Sequence, residues 1–197
     1  MSKAARTKAF IIETVAPIFN KNGYAAMSLS KITEATGLTK GAIYGHFGNK
    51  EELAMEAYRY SIRRFFMQLN AVVNQGENSL EMLLKIADFY LDYYEYSKEF
   101  GGCPILNIGV DSEHQKTGIG DLVRTYNQRI LDKFSALIER GVQEGVVVES
   151  ADAMLYARRF FYMIEGAVYM TYIMKDKNYL TEVAQAMTDM IHKELKK

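Results

Sequence analysis

SLSKITEATGLTKGAIYGHF, residues 28–47 of a 197-residue chain, is the stretch from which the rest of the fold is read. Two short runs of helical composition flank Gly37. Ser28 and Thr39 each stand just ahead of one, where a side-chain oxygen can take an orphan amide of the first turn. Gly37 supplies the positive φ that stops the first run and reverses the chain. The pattern predicts a helix over about Leu29 to Thr36, a tight turn, and a second helix from the Thr39 cap to about Phe47.

Working outward, every longer segment keeps a helical period, and no run alternates convincingly with period two. Upstream, a helix is expected from about Ala4 to Asn22, with Ile11, Val15, Ile18 and Phe19 as its stripe and Gly23 as its C-terminal stop. Pro17 inside it predicts a kink or local break near Glu13, because proline removes a donor and crowds the preceding turn. Downstream, Asn49 caps a long helix carrying Glu51 and Glu52 in its first turn, where the macrodipole favours acids. Its stripe is Leu53, Ala57, Ser61, Phe65, Leu69 and Val72, and Gln75, Gly76 and Asn78 end it. Further helices are expected over Ser79 to Ser97, around Pro104 to Val110, and over Ile119 to Glu144, Ser150 to Lys175 and Asn178 to Lys196. The fold class is all-α, with about nine helices, no strand and only two prolines in the chain. Two domains are expected, residues 1–50 and 51–197.

Charge divides the chain along the same line. Up to Lys50 there are seven Lys and Arg and two Glu, a net of +5, so the neutral whole leaves −5 for the remainder. A basic module joined to an acidic one implies that the first meets a polyanion. The single cysteine, Cys103, excludes an intramolecular disulfide and suits a reducing compartment. No signal-peptide pattern and no apolar run near the ~20 residues of a membrane span is found. The expectation is a soluble, cytoplasmic protein with no membrane partner.

Helix, glycine turn and short helix in a basic module make a helix-turn-helix, whose second helix enters the DNA major groove while the first lies across it. Ser28 and Thr39 stand at helix N-termini that can hold phosphate. Lys40 projects from the first turn of the recognition helix toward a base edge or a phosphate. Gly41 and Ala42 let the backbone approach bases, and the Ala42 methyl can meet a thymine methyl. Ile43 and Phe47, four apart, face the core. Tyr44 and His46 flank the outward face and can donate to phosphates, and Lys50 is the next cation in line.

NGYAAMSLSKITEATGLTKGAIYGHFGNKEEL also resembles the N-terminal DNA-binding module of the TetR family of bacterial transcriptional regulators. The resemblance rests on Gly23-Tyr24, Ser28, Ile32, Ala35 to Lys40, Gly41 to Tyr44, His46-Phe47 and Lys50 to Leu53, and covers roughly the first 55 residues. It implies a homodimer that binds operator DNA through two recognition helices and carries a C-terminal ligand-binding domain. By position Ser28, Thr39, Lys40, Gly41, Ala42, Tyr44, His46 and Lys50 match the family's usual DNA contacts. Gly45 departs from the larger residue often found there, and Pro17 replaces an apolar one.

The second domain is dense in aromatics. Core packing accounts for most of them; a pocket accounts for the rest, and an apolar or aromatic small-molecule effector would suit it. The residues expected to line it are Phe65, Phe66, Phe89, Tyr90, Tyr93, Cys103, Leu106, Tyr126, Tyr162 and Tyr169. Gly101 and Gly102 loosen the chain ahead of Cys103 to Val110, and the resemblance to the TetR family, in which the helix at this place links the pocket to the long helix after the DNA-binding module, implies that this segment is the moving element. Phe160, Met163, Gly166, Ala167, Leu180, Ala184, Met187 and Ile191 are expected at a dimer interface, in a four-helix bundle about a two-fold axis, although the same stripes can pack within one chain. Asp111, Glu113 and His114 read as a solvated turn, and neither a metal nor a cofactor is expected. No nucleophile–base pair, HExxH spacing or phosphate loop points to an enzyme. The function expected is a ligand-responsive DNA-binding regulator that a small molecule releases from its operator. The alternative is a small-molecule sensor whose DNA module is vestigial.

Overall fold

The computed structural model describes residues 2–113 and 117–197. Among these, ten α-helices follow one another: α1 (Lys3–Ala26), α2 (Leu29–Thr36), α3 (Lys40–Tyr44), α4 (Lys50–Val73), α5 (Ser79–Leu91), α6 (Tyr93–Lys98), α7 (Pro104–Glu113), α8 (Ile119–Gln143), α9 (Ala153–Met174) and α10 (Asn178–Met190), with a π-helical turn at Ile191–Leu195. No strand forms among the described residues; one antiparallel bridge joins Val147 to Lys196. No helix there is long and apolar enough to cross a membrane. The all-α class is as the periodicity indicates. The single helix expected over Ser79 to Ser97 is two, divided at Asp92, whose φ of −104° and ψ of 0° leave the helical region.

Pro17 does not break α1. The one residue within it that leaves helical dihedrals is Gly23, at φ 77° and ψ 174°. The reason is tertiary. The Asp111 carboxylate of α7 accepts the Tyr24 amide at 2.7 Å and lies against Gly23 where a Cβ would sit. A carboxylate that captures an amide competes with the helix's own carbonyl for it, and only glycine takes the resulting φ without strain.

The chain forms two compact units: the residues up to Phe65 with Ser97–Thr125, and Phe66–Tyr96 with Tyr126–Lys197. In the first, Ile11, Val15 and Phe19 of α1 are buried with Ile32 of α2, Ile43 of α3, Phe47, and Leu53 and Ala57 of α4. A polar clasp adds to that core. The buried Asn20 amide donates to the carbonyls of Phe100 at 2.8 Å and Gly102 at 2.6 Å. Asn107 of α7 donates to the Gly101 carbonyl at 3.0 Å and to that of Asn20 at 3.2 Å. Gly101 and Gly102, at φ 80° and 106°, give the loop the path this needs, and a Cβ on Gly101 would run into the Pro17 carbonyl. Removing a donor from buried carbonyls costs their desolvation. Asn20→Ala is therefore expected to lower stability by about 2–3 kcal/mol in urea unfolding; a loss below about 0.5 kcal/mol would show that the clasp holds nothing.

In the second unit, Leu180, Val183, Ala184 and Met187 of α10 are buried, and α10 packs on α5 and α9 of its own chain. Phe134 of α8 meets Phe160 of α9 with ring centroids 6.2 Å apart. The terminal residues are pinned by Val148 N–H donating to the Leu195 carbonyl at 2.8 Å.

Candidate nucleic-acid interface

Local chemistry shapes the motif. Ser28 Oγ accepts the Lys31 amide at 3.3 Å and Thr39 Oγ1 accepts the Ala42 amide at 3.2 Å, so both caps are made. Gly37 is left-handed at φ 69° and its amide closes α2 onto the Thr33 carbonyl. Thr36, buried at the end of α2, donates its hydroxyl to the Ile32 carbonyl at 2.8 Å and accepts the Leu38 amide at 3.3 Å, which fixes the chain as it leaves α2. Asn49 Oδ1 accepts the Glu52 amide at 2.8 Å, and Glu52 reaches back to the Gly48 amide at 2.8 Å, which starts α4.

Ile43 holds α3 down, with no exposed surface. Lys40, Gly41 and Ala42 are then exposed on its outer side, and Tyr44 and His46 are half-buried at its end. A Cβ on Gly41 would meet nothing within 4 Å, so the fold leaves the recognition helix bare there. Gly45 is at φ −70°, a conformation open to any residue; its ideal Cβ would lie 3.1 Å from the Gly41 carbonyl oxygen.

Two cations differ from the sequence picture. Lys50 is not a free arm: its Nζ sits 4.3 Å from the Tyr24 ring centroid. Burial pushes its pKa down, and Asp111 pulls it back up. The Tyr24 phenol is pushed above its ordinary value by burial, then by Glu51 and Tyr44. Lys8 of α1 lies 5.2 Å from the Phe47 ring centroid, so α1 adds a cation beside the motif that spacing alone did not single out. Neither aromatic partner is near its lysine in sequence, which is why no local signal reveals these pairs.

The ten residues expected around an effector are scattered. Phe89 and Tyr93 line a groove of about 330 Å³ in the second unit, with Gln68, Asp88, Asp92 and Tyr96. Phe65, Tyr90 and Cys103 are buried, and Phe66, Leu106 and Tyr126 are half-buried. Tyr162 and Tyr169 are exposed on α9. Cys103 and Leu106 belong to the first unit, where α7 is held on α1.

Of the residues expected at a dimer interface, Phe160, Leu180, Ala184, Met187 and Ile191 are buried within the chain and have little surface left for a partner. Met163 and Ala167 are half-buried, and Gly166 is exposed. The acids expected in a solvated turn lie in α7: Asp111 clasps Tyr24, and Glu113 pairs with Arg124 at 2.8 Å. His114 lies outside the described residues. One titratable group went unnoticed in the sequence. Glu165 of α9 keeps some exposed surface as a residue, yet its Oε2 is buried and finds no hydrogen-bond partner. Burial pushes its carboxyl up to about 8.

Comparison with known proteins bears on both units. The sequence model of the bacterial regulatory proteins of the tetR family matches residues 11–57, and that of the tetracyclin repressor-like C-terminal domain matches residues 79–187. A TetR-family transcriptional regulator from Cytophaga hutchinsonii is 31% identical and superposes with a TM-score of 0.91 over 100% of this chain and 98% of that one. A TetR transcriptional regulator from Chloroflexus aurantiacus is 27% identical, with a TM-score of 0.93 over 100% and 99%. The fatty acid metabolism regulator protein of Bacillus subtilis is 21% identical over 169 residues, 86% of this chain and 84% of that protein.

Proposed function

Because this chain belongs to the TetR family of bacterial regulatory proteins and is thus a DNA-binding transcriptional regulator, we propose that it acts as a homodimeric repressor that a small molecule releases. Two α3 helices, one per protomer, dock in successive major grooves of an operator in the cytoplasm. The observation that carries this reading is the bare outer side of α3, where Lys40, Gly41 and Ala42 are exposed above a fully buried Ile43. Lys40 and Ala42 read base edges. Ser28, Thr39, Tyr44, His46 and Lys50 hold phosphates, with Lys50 aligned by its seat on Tyr24.

A face of α9 supports the dimer. Leu155, Tyr162, Tyr169 and Ile173 are 41%, 61%, 50% and 60% exposed and recur at intervals of seven, seven and four residues. That spacing puts them on one side of the helix. Gly166 falls on the same side with nothing within 4 Å of its would-be Cβ, which lets a second backbone come close. A contiguous apolar stripe of this size is what a self-complementary two-fold contact covers. Tyr162→Asp with Tyr169→Asp is expected to give monomers by light scattering with helix content intact; a dimer of unchanged mass would place the interface elsewhere.

Release follows only if the effector favours a form in which the two α3 helices no longer match the grooves. Gel-shift titration on DNA from upstream of the protein's own coding region, with scrambled DNA as control, tests the DNA face. Tyr44→Ala is expected to weaken binding about tenfold on both, as loss of a phosphate contact does, while Lys40→Ala also changes the preference between them. Undiminished binding by the Tyr44 variant overturns the assignment. Absence of any salt-dependent binding by the unaltered protein favours the sensor with a vestigial DNA module.

A further inference from the structure

Three rings, tilted against one another, cluster along the groove in the second unit. Phe89 lies 5.6 Å from Tyr93 and 6.4 Å from Tyr96, and Tyr93 lies 6.3 Å from Tyr96, centroid to centroid. Phe89 and Tyr96, which line the groove, are half-buried, whereas Tyr93, which also lines it, is buried. The volume, about 330 Å³, is at the lower end of the range that takes small organic molecules and far exceeds a bare ion.

Charge decides which small molecule. Asp88 and Asp92, four residues apart and both exposed, line the same groove as Phe89 and Tyr96. Lys85, which also lines it, is engaged with Asp88 at 3.1 Å. Two carboxylates against one ammonium leave the groove at −1, and the surplus is Asp92. Aromatic faces carry negative quadrupole density, so they attract a cation placed over them. Organic ammonium ions, weakly hydrated and apolar in outline, are the ligands for which a ring wall and a nearby carboxylate act together. An anionic or merely apolar ligand would have to forgo the Asp92 charge.

We propose that this groove between α4, α5 and α6 is a binding site for a small organic ammonium ion, held against Phe89 and Tyr96 with its charge facing Asp92. This rests on the reading of the chain as effector-responsive and names the chemical class of the effector. The apolar or aromatic effector expected from composition thereby gains a positive charge.

Calorimetric titration of the full-length protein without DNA tests it, with octyltrimethylammonium as the probe and octyl sulfate and octanol as equal-chain controls. The expected result is saturable binding of the ammonium, at least about tenfold tighter than either control. Asp92→Asn and Tyr96→Ala, each checked for unchanged helix content, are expected to weaken it about tenfold apiece. Raising the salt concentration should weaken the unaltered protein more than the Asp92→Asn variant. Equal binding of the three probes would mean an undiscriminating apolar surface and would overturn the proposal. So would ammonium binding that neither substitution changes, which would put the site elsewhere. Since no DNA is present, failure here leaves the operator-release reading intact, and that reading fails separately if the unaltered protein shows no gel shift.

Discussion

Gly41→Glu should abolish operator binding while leaving the fold untouched. Gly41 stands in the first turn of α3, its missing Cβ points into open space, and the residue is exposed. A glutamate costs the protein nothing there. It has better helix propensity than glycine by a few tenths of a kcal/mol to about 1 kcal/mol, and the N-terminal turn favours an acid. In the proposed docking the same side chain brings bulk where the backbone of α3 approaches the bases, and a negative charge against a polyanion. Like-charge juxtaposition in an interface costs several kcal/mol, so operator affinity should fall by about 10²–10³-fold with a thermal midpoint equal to or above that of the parent. Fluorescence anisotropy at fixed salt and a thermal melt read the two effects separately. A variant that still binds within about threefold would remove α3 from the groove; one that unfolds would show that Gly41 is needed by the fold instead.

Glu165→Gln should stabilise the protein, and only at neutral to alkaline pH. The carboxyl, raised from its ordinary 4.5 to about 8 by burial, holds its proton in the folded chain over a range where the unfolded chain has lost it. In that range the folded state binds more protons, so stability falls as pH rises from about 4.5 and the loss is complete above about 8. Taken whole, that span corresponds to roughly 4–5 kcal/mol. The partial exposure of the residue lowers the expected gain of the glutamine variant to about 2–3 kcal/mol at pH 9. At pH 4.5 the folded carboxyl is neutral like the glutamine, and the difference should shrink to a few tenths of a kcal/mol. Urea unfolding at pH 4.5, 7 and 9 gives the profile. A gain of the same size at every pH would be a packing effect, and no gain at pH 9 would mean that the carboxylate finds solvent or a partner when it ionises.

How much of this was legible in advance depends on the range of the interaction. The caps at Ser28, Thr39 and Asn49 and the left-handed turn at Gly37 are within three or four residues of what they satisfy. Residue type at a fixed offset therefore determines them, and α2 is found over Leu29–Thr36, as the pattern indicates. Helical period likewise set the fold class and assigned Ile43 and Phe47 to the core. The kink expected near Glu13 does not form; α1 loses its regularity at Gly23, where the glycine signal puts the helix's end, and Asp111, 87 residues beyond the amide that it captures, holds it there. Proline had a local reason to bend the helix at Glu13, and a carboxylate from α7 had a stronger one to end its regularity at Gly23.

The same divide runs through the functional surfaces. Lys50 is a cation in the sequence wherever it points; only the tertiary structure sets it over Tyr24 and so gives it a direction. The stripe of α10 suits either a partner protomer or the rest of its own chain, because periodicity records that a face is covered and not by what. In the molecule α5 and α9 of the same chain cover it, and the uncovered stripe is on α9. Asp88 and Asp92 are ordinary surface acids until three rings from two helices line a groove beside them. By itself the sequence determined the all-α class, the helix-turn-helix and the residues of its outer side, because caps, turns and amphipathic faces are short-range chemistry. Tertiary structure decided that α1 runs unbroken past Pro17, which aromatics share a groove, and which apolar stripe stays uncovered, because those depend on contacts between residues the chain order keeps far apart.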